Sequence, residues 1–186
     1  TIIVTGALTP ATILPLLERH FGDWQPPAGQ SLPRAAITVA TGSSGTRVYL
    51  LDRPGAPQTS ILAGQLMPSS LAPDRIELNT ANDVLGGTFT SRINMNLRED
   101  KHWSYGARSS LTETRGQRPW LLSAPVQTDK TVESIQEIRR ELADLLATRP
   151  ITAEEFAKVR NRDVRALSGQ YETNAAVSGA IGDIVR

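Results

Sequence analysis

The chain has 186 residues, 39% hydrophobic and 21% charged, the make-up of an ordinary globular domain long enough to bury a core. Its net charge of +1 argues against nucleic acid or an anionic membrane as the main partner, and no apolar run reaches the length of a membrane span. Without cysteine there is no disulfide, thiolate metal site or cysteine nucleophile.

In chain order, Ile2, Ile3 and Val4 form a β-branched run ending at Gly6, which predicts a short buried strand. Thr9-Pro10 supplies a cap and a proline for the first helical position, and Ile13, Leu16, Leu17 and Phe21 recur on one face before Gly22 ends the helix. Residues 25–46 are rich in Pro, Gly, Ser and Ala, with Ile37 and Val39 as the only strand-like positions, and form the linker candidate. Arg47 to Asp52 and Thr59 to Met67 read as two strands joined by the turn Arg53-Pro54-Gly55-Ala56-Pro57. Pro73 opens a helix with Ile76, Thr80, Ala81, Val84 and Leu85 along one side.

That helix is expected to stop at Gly86-Gly87, because glycine enters the left-handed region without steric cost. Thr90 or Ser91 then caps a short second helix, with Ile93 and Leu97 on one face and Arg98 in the last turn. Trp103 to Thr112 and Pro119 to Gln127 are strand candidates around a polar loop, and Pro125, which lacks an amide hydrogen, predicts an edge or a bulge in the second of them. Thr128-Asp129 begins an amphipathic helix whose Val132, Ile135, Ile138, Leu142 and Leu145 form a core stripe, and Pro150 stops it. Thr152 and Glu155 form a capping box for a further helix running towards Leu167. Strands, helices, a strand pair and helices in this order predict an α+β fold, a largely antiparallel sheet covered by helices. Both ends of the chain look cut, which leaves a signal peptide on the parent protein open.

Hydrolytic metal sites need several donors converging on one ion, and the two histidines, His20 and His102, are far apart with no second His a helical turn away. No complete zinc site is expected, and His20 reads as an exposed residue at a helix C-terminus. No G-x-S-x-G elbow is present, and the glycine pair fits neither phosphate-loop pattern. Arg98 and Tyr105 remain. A guanidinium and a phenol converging on one point can position a peptide carbonyl and donate to the oxyanion formed when water attacks it. They also fit an arginine paired with a nearby carboxylate and a half-buried strand aromatic, and spacing alone favours this reading, since such pairs are common in any fold.

Leu85-Gly86-Gly87, Ser91-Arg92-Ile93, Leu97-Arg98-Glu99 and Tyr105-Gly106 stand in one register. Together they resemble a segment of the non-zinc domain of the pitrilysin/insulinase family of zinc metallopeptidases, which includes mitochondrial processing peptidase. Asp52 to Thr59 resembles the opening strand turn of that domain, Lys130 with the helix after it the segment following the strand pair, and Pro150 to Phe156 the start of its next helix, while Phe21-Gly22-Asp23-Trp24 resembles the end of the zinc-bearing type of domain. The resemblance implies a two-layer α/β sandwich of the mitochondrial processing peptidase-like metallohydrolase type. Residues 1–24 would be the terminal strand and helix of a preceding zinc-type domain, packing poorly or against another copy. Residues 25–46 would be a linker, and 47–186 the inactive-type C-terminal domain, cut short at its C-terminus.

By the same resemblance, this is the non-zinc domain of a zinc endopeptidase, inactive alone. Arg98 would position the substrate and Tyr105 would stabilise the tetrahedral intermediate. Zinc and its H-x-x-E-H motif would lie on a homologous domain in the same chain or another subunit, with no cofactor or metal here. The substrate would be a peptide or an unfolded protein, and the setting bacterial and periplasmic rather than cytoplasmic. Some family members have lost their zinc ligands, so a non-catalytic peptide-binding or scaffolding subunit is the alternative. A stand-alone domain with a purely structural likeness is a third reading. The family often has glycine in the turn before the tyrosine, where His102 and Trp103 stand here. Histidine tolerates left-handed backbone, so either a positive φ at His102 or an altered turn is expected.

Overall fold

Among residues 1–25, 36–40 and 45–185, which the computed structural model describes, the chain divides into two units: Ile37–Asn161, and Thr1–Ala36 with Arg162–Arg186. The elements are α1 (Pro10–Phe21), β1 (Gln58–Met67), α2 (Arg75–Asn82), α3 (Arg92–Asn94), β2 (Arg108–Leu111), β3 (Arg118–Gln127), α4 (Thr131–Leu146), α5 (Ala153–Gly169) and α6 (Asn174–Val185). Two π-helical turns, Asp83–Gly87 and Met95–Asp100, follow α2 and α3. The fold is α+β, as the element order predicts.

In the larger unit β3 is the middle strand of an antiparallel sheet in the order β1-β3-β2. Alternation along β3 turns Leu122, Ala124 and Val126 to one face, where they are buried against Leu85, Ile93, Leu97, Ala107 and Ile138. Ile93 and Leu97, four apart, are both fully buried, as their helical spacing predicts. The turn at Arg53 also forms: the Ala56 amide donates to the Arg53 carbonyl and Gly55 takes φ 78. This is the position where a turn with proline before it needs a residue free of a Cβ.

Several expectations need correction. Arg47 to Asp52 forms no strand, and Val48 to Leu51 are each more than 80% exposed, because no described segment pairs with them and a lone strand leaves its backbone groups unmatched. Ile2 to Val4 and Ile37 to Val39 likewise form no strand, while most of the expected linker lies outside the described residues. The Trp103 to Thr112 strand shrinks to β2 plus a single bridge from Ser104 to Val126.

The glycine pair does interrupt the helix, though not through left-handed backbone, since neither glycine has a positive φ. Gly86 lies so close to β2 that a Cβ there would stand 3.0 Å from the Ser109 amide nitrogen and 2.4 Å from its hydroxyl. The stripe on α4 holds in its second half, where Ile138 is buried and Leu142 and Leu145 pack against the core, but not in its first: Val132 and Ile135 are exposed, and Ser134 and Glu141 are buried instead. Glu141 is drawn inward because it accepts a hydrogen bond from Asn96 and pairs with Arg149, so polar partners override the apolar pattern.

The smaller unit holds α1 and α6. The sequence sets α1 as expected, with Pro10 in first position and a reciprocal capping box between Thr9 and Thr12, but the helix has no buried residue. Thr5 donates to the carbonyl of Asn174 at the start of α6, which has no buried residue either.

Candidate functional site

Pro125 shapes the surface around Tyr105. In an extended strand a residue's N–H and C=O point to the same side. The Pro125 carbonyl accepts from Ser104 Oγ at 2.5 Å, so the position of its missing amide hydrogen also faces the segment that leads into β2. Pairing lapses there. Ser104 bridges to Val126 while Arg108 pairs with Ser123, so the three residues Tyr105 to Ala107 face only two, Ala124 and Pro125. Pro125 is therefore not on an edge strand; it lies opposite a bulge on the neighbouring segment.

The bulge has fixed ends. Ser104 is held by Pro125 on one side, and on the other the Ala107 amide donates to Asn94 Oδ1 at 2.9 Å. Both flanking residues are buried, and the extra residue is pushed outward, leaving Tyr105 84% exposed rather than half-buried. A bulge that re-aims a side chain is a recurrent device beside functional sites.

Arg98 approaches from the other direction. It sits in the π turn Met95–Asp100, whose wider winding is marked by the Lys101 amide donating to Asn96 five residues back. His102 then reverses the chain at φ 57, the only non-glycine residue with positive φ among the described residues, in agreement with the expectation for this turn. Its Nδ1–H donates to the Arg98 carbonyl at 3.1 Å, and the Trp103 and Ser104 amides both donate to the Leu97 carbonyl. These bonds satisfy carbonyls that a helix end leaves without partners.

The result brings the two candidate residues together. Arg98 Cζ lies 5.2 Å from the centroid of the Tyr105 ring and 4.5 Å from that of Phe89, so the guanidinium is within cation–π reach of two aromatics. Glu99 pairs with Arg98 Nε at 3.2 Å, which supplies the carboxylate of the simpler sequence reading as well. Phe89, itself 63% exposed, was missed at the sequence level. Its one signal there is a large apolar residue two positions beyond a glycine pair, which spacing rules do not interpret.

Behind this surface lies a second charge cluster. Arg92 donates Nε and Nη2 to the two oxygens of Glu155, each at 2.7 Å, and also bonds the carbonyls of Arg149 and Pro150. Glu155 in turn closes the capping box of α5, accepting from the Thr152 amide while the Thr152 hydroxyl accepts from its own. The hydrogen bond from Arg92, helped by Thr152 and opposed by burial, lowers the Glu155 carboxyl to about 2. Arg92 is raised by the same bond. This pair joins α3 to the start of α5 and takes no part in the exposed surface.

Among the described residues no group of three or more His, Cys, Asp or Glu is placed to hold a metal ion. No set of donors among the described residues fits zinc, and none of the described helices is long and apolar enough to cross a membrane.

Comparison with known proteins agrees with this architecture. Among solved structures, a peptidase M16 inactive domain from Pseudomonas fluorescens superposes with a TM-score of 0.62 at 23% identity, over 69% of this chain and 31% of that one. A protease from Helicobacter pylori gives a TM-score of 0.83 at 18% identity, over 97% of this chain and 44% of its own. The periplasmic protease PqqL from Escherichia coli gives 0.62 at 19% identity, over 96% of this chain and 19% of its own. At such identities the likeness shows the fold, and this chain spans less than half of each of these proteins. None of the curated proteins matches. A family model described as the peptidase M16 inactive domain matches residues 1–162, and with the shared fold this places the chain in the peptidase M16 inactive-domain family.

Proposed function

We propose that this chain is the non-zinc half of a zinc endopeptidase, in which Arg98 and Tyr105 act on a peptide bond whose metal is carried by another domain. The observation that carries the reading is the convergence of the two side chains, with Arg98 Cζ 5.2 Å from the Tyr105 ring on an exposed surface built by a bulge and a left-handed turn. Family membership supplies the reaction class, and the geometry supplies two neighbouring donors of suitable type.

The chemistry follows from where charge develops. When water attacks a peptide carbonyl, the carbonyl oxygen becomes an oxyanion, and a donor held in place beforehand stabilises it more than it stabilises the substrate. The Tyr105 hydroxyl is the donor for that oxygen. Arg98, with its planar fork of N–H groups, binds a neighbouring backbone carbonyl and fixes the register of an extended peptide. The partner is a zinc-bearing homologous domain, in the same polypeptide or another, and the substrate a peptide or an unfolded protein.

The test is Tyr105→Phe in the complete zinc-bearing enzyme, which removes one hydroxyl and keeps the ring against Arg98. Loss of an oxyanion donor predicts a fall in kcat of roughly 10²–10³-fold with little change in KM. Unchanged turnover in Tyr105→Phe and in Arg98→Ala would remove the role of both residues. If peptide binding nevertheless persisted, the chain would be a binding or scaffolding domain.

A further inference from the structure

Phe89 lies close to the Arg98 guanidinium, at 4.5 Å from Cζ to ring centroid, nearer than Tyr105 at 5.2 Å. An arginine on a surface has many rotamers, and ordering it costs conformational entropy that two flanking rings reduce. The rings come from opposite ends of the segment, one before α3 and one after the π turn, so something must set their separation.

That element is Asn94. Its side chain is buried at 3% exposure and bonds in both directions, Nδ2 donating to the Phe89 carbonyl at 2.5 Å and Oδ1 accepting from the Ala107 amide at 2.9 Å. A carbonyl can only accept and an amide N–H can only donate, so these partners fix which way the Asn94 amide faces. One buried side chain therefore ties the backbone of Phe89 to the far end of the bulge that presents Tyr105.

The geometry points to Phe89 as a positioning residue of the site: with its backbone held by Asn94, its ring fixes the Arg98 guanidinium against Tyr105 in the orientation that receives the peptide. This rests on the reading of Arg98 and Tyr105 given above. Phe89 touches no reacting atom and acts through Arg98. Leucine or methionine in its place keeps apolar bulk but has no π face, whereas tryptophan retains it.

The experiment has two arms. In the first, NMR of this chain follows the Arg98 side-chain Hδ and Nε–H resonances, which two flanking rings shift upfield. Phe89→Leu or Phe89→Met should remove the larger part of that shift and Phe89→Trp should keep it. Asn94→Asp, which retains the acceptor for Ala107 and loses the donor to Phe89, should reduce it. In the second arm the same variants are placed in the complete zinc-bearing enzyme and assayed on a peptide. Phe89→Leu should lower kcat roughly 10- to 100-fold, as expected for a misplaced positioning group, with KM changed by less than about threefold and Phe89→Trp recovering most of the loss. An Arg98 signal unmoved by Phe89→Leu, or a normal kcat once the shift is lost, would overturn the assignment. A null result for Tyr105→Phe would defeat the proposed function instead, and leaves the NMR arm to report the contact on its own.

Discussion

At Arg92 a guanidinium with 7% of its side chain exposed meets both oxygens of Glu155 and two backbone carbonyls. Removing Arg92 would take away the two charge-assisted donors of Glu155 and leave it only those of Thr152. Because the Glu155 carboxyl is lowered from 4.5 to about 2 in the folded state, its contribution to stability is complete above about pH 4.5 and is lost as pH falls towards 2. Glu155 is 31% exposed, so solvent screens part of the effect, and we expect on the order of 1–2 kcal/mol to disappear over that window. Urea unfolding at pH 6 and pH 3 measures it. In Glu155→Gln the loss should already be present at pH 6 and this part of the acid dependence should flatten; an unaltered dependence would show that other carboxylates carry it. Half of the arrangement was legible in the sequence. The capping box needs only Thr152 and Glu155 three residues apart, whereas Arg92 lies 63 residues from Glu155, and local spacing cannot see that far.

The two glycines show how a correct boundary can rest on the wrong cause. Gly86-Gly87 was legible as an interruption, but the interruption is a π turn pressed against β2, and the close approach belongs to the pairing of elements rather than to either one alone. The two positions should therefore respond differently to the same substitution. Gly86→Ala drives a Cβ to 3.0 Å from the Ser109 backbone nitrogen, and since backbone in a sheet yields little, we expect about 2–3 kcal/mol of destabilisation. Gly87→Ala meets the side chains of Asp83 and Asn82 and touches no strand backbone, and although Asn82 is held by Ser109 and Trp120, a side chain yields more readily than a sheet, so the cost should be smaller, about 1–2 kcal/mol. Chemical denaturation of both variants decides it, and equal losses would mean that the helix, not its seat on the strand, demands glycine. The same limit explains the strands. Pro125 announced a lapse in pairing, because a missing donor is a local fact, but the edge or bulge expected in its own strand lies instead on the segment opposite, and that, like the failure of Arg47 to Asp52 to pair, is a fact about partners.

Burial is distributed unevenly over the whole molecule, and this has a dynamic consequence. The connected apolar core, from Leu85 through Ile93, Leu97, Leu122 and Val126 to Ile138, lies wholly within Ile37–Asn161. In the unit formed by Thr1–Ala36 and Arg162–Arg186, α1 and α6 each have no buried residue, although α1 carries an apolar face that the sequence alone would assign to a core. Amide exchange follows the free energy of the smallest opening that exposes a hydrogen bond, and helices without buried apolar surface open locally. Amides of β3 and of Ile93 to Leu97 should therefore exchange only through global unfolding. Those of α1 and α6 should exchange faster by at least about two orders of magnitude, a gap of roughly 3 kcal/mol in opening free energy. Within α5, protection should be highest around Val159, its one buried residue, and fall towards Gly169. Denaturant slopes sharpen the test: core amides should show the full dependence of unfolding and those of α1 and α6 almost none. If α1 and α6 instead shared the core's protection and its slope, the two units would unfold as one.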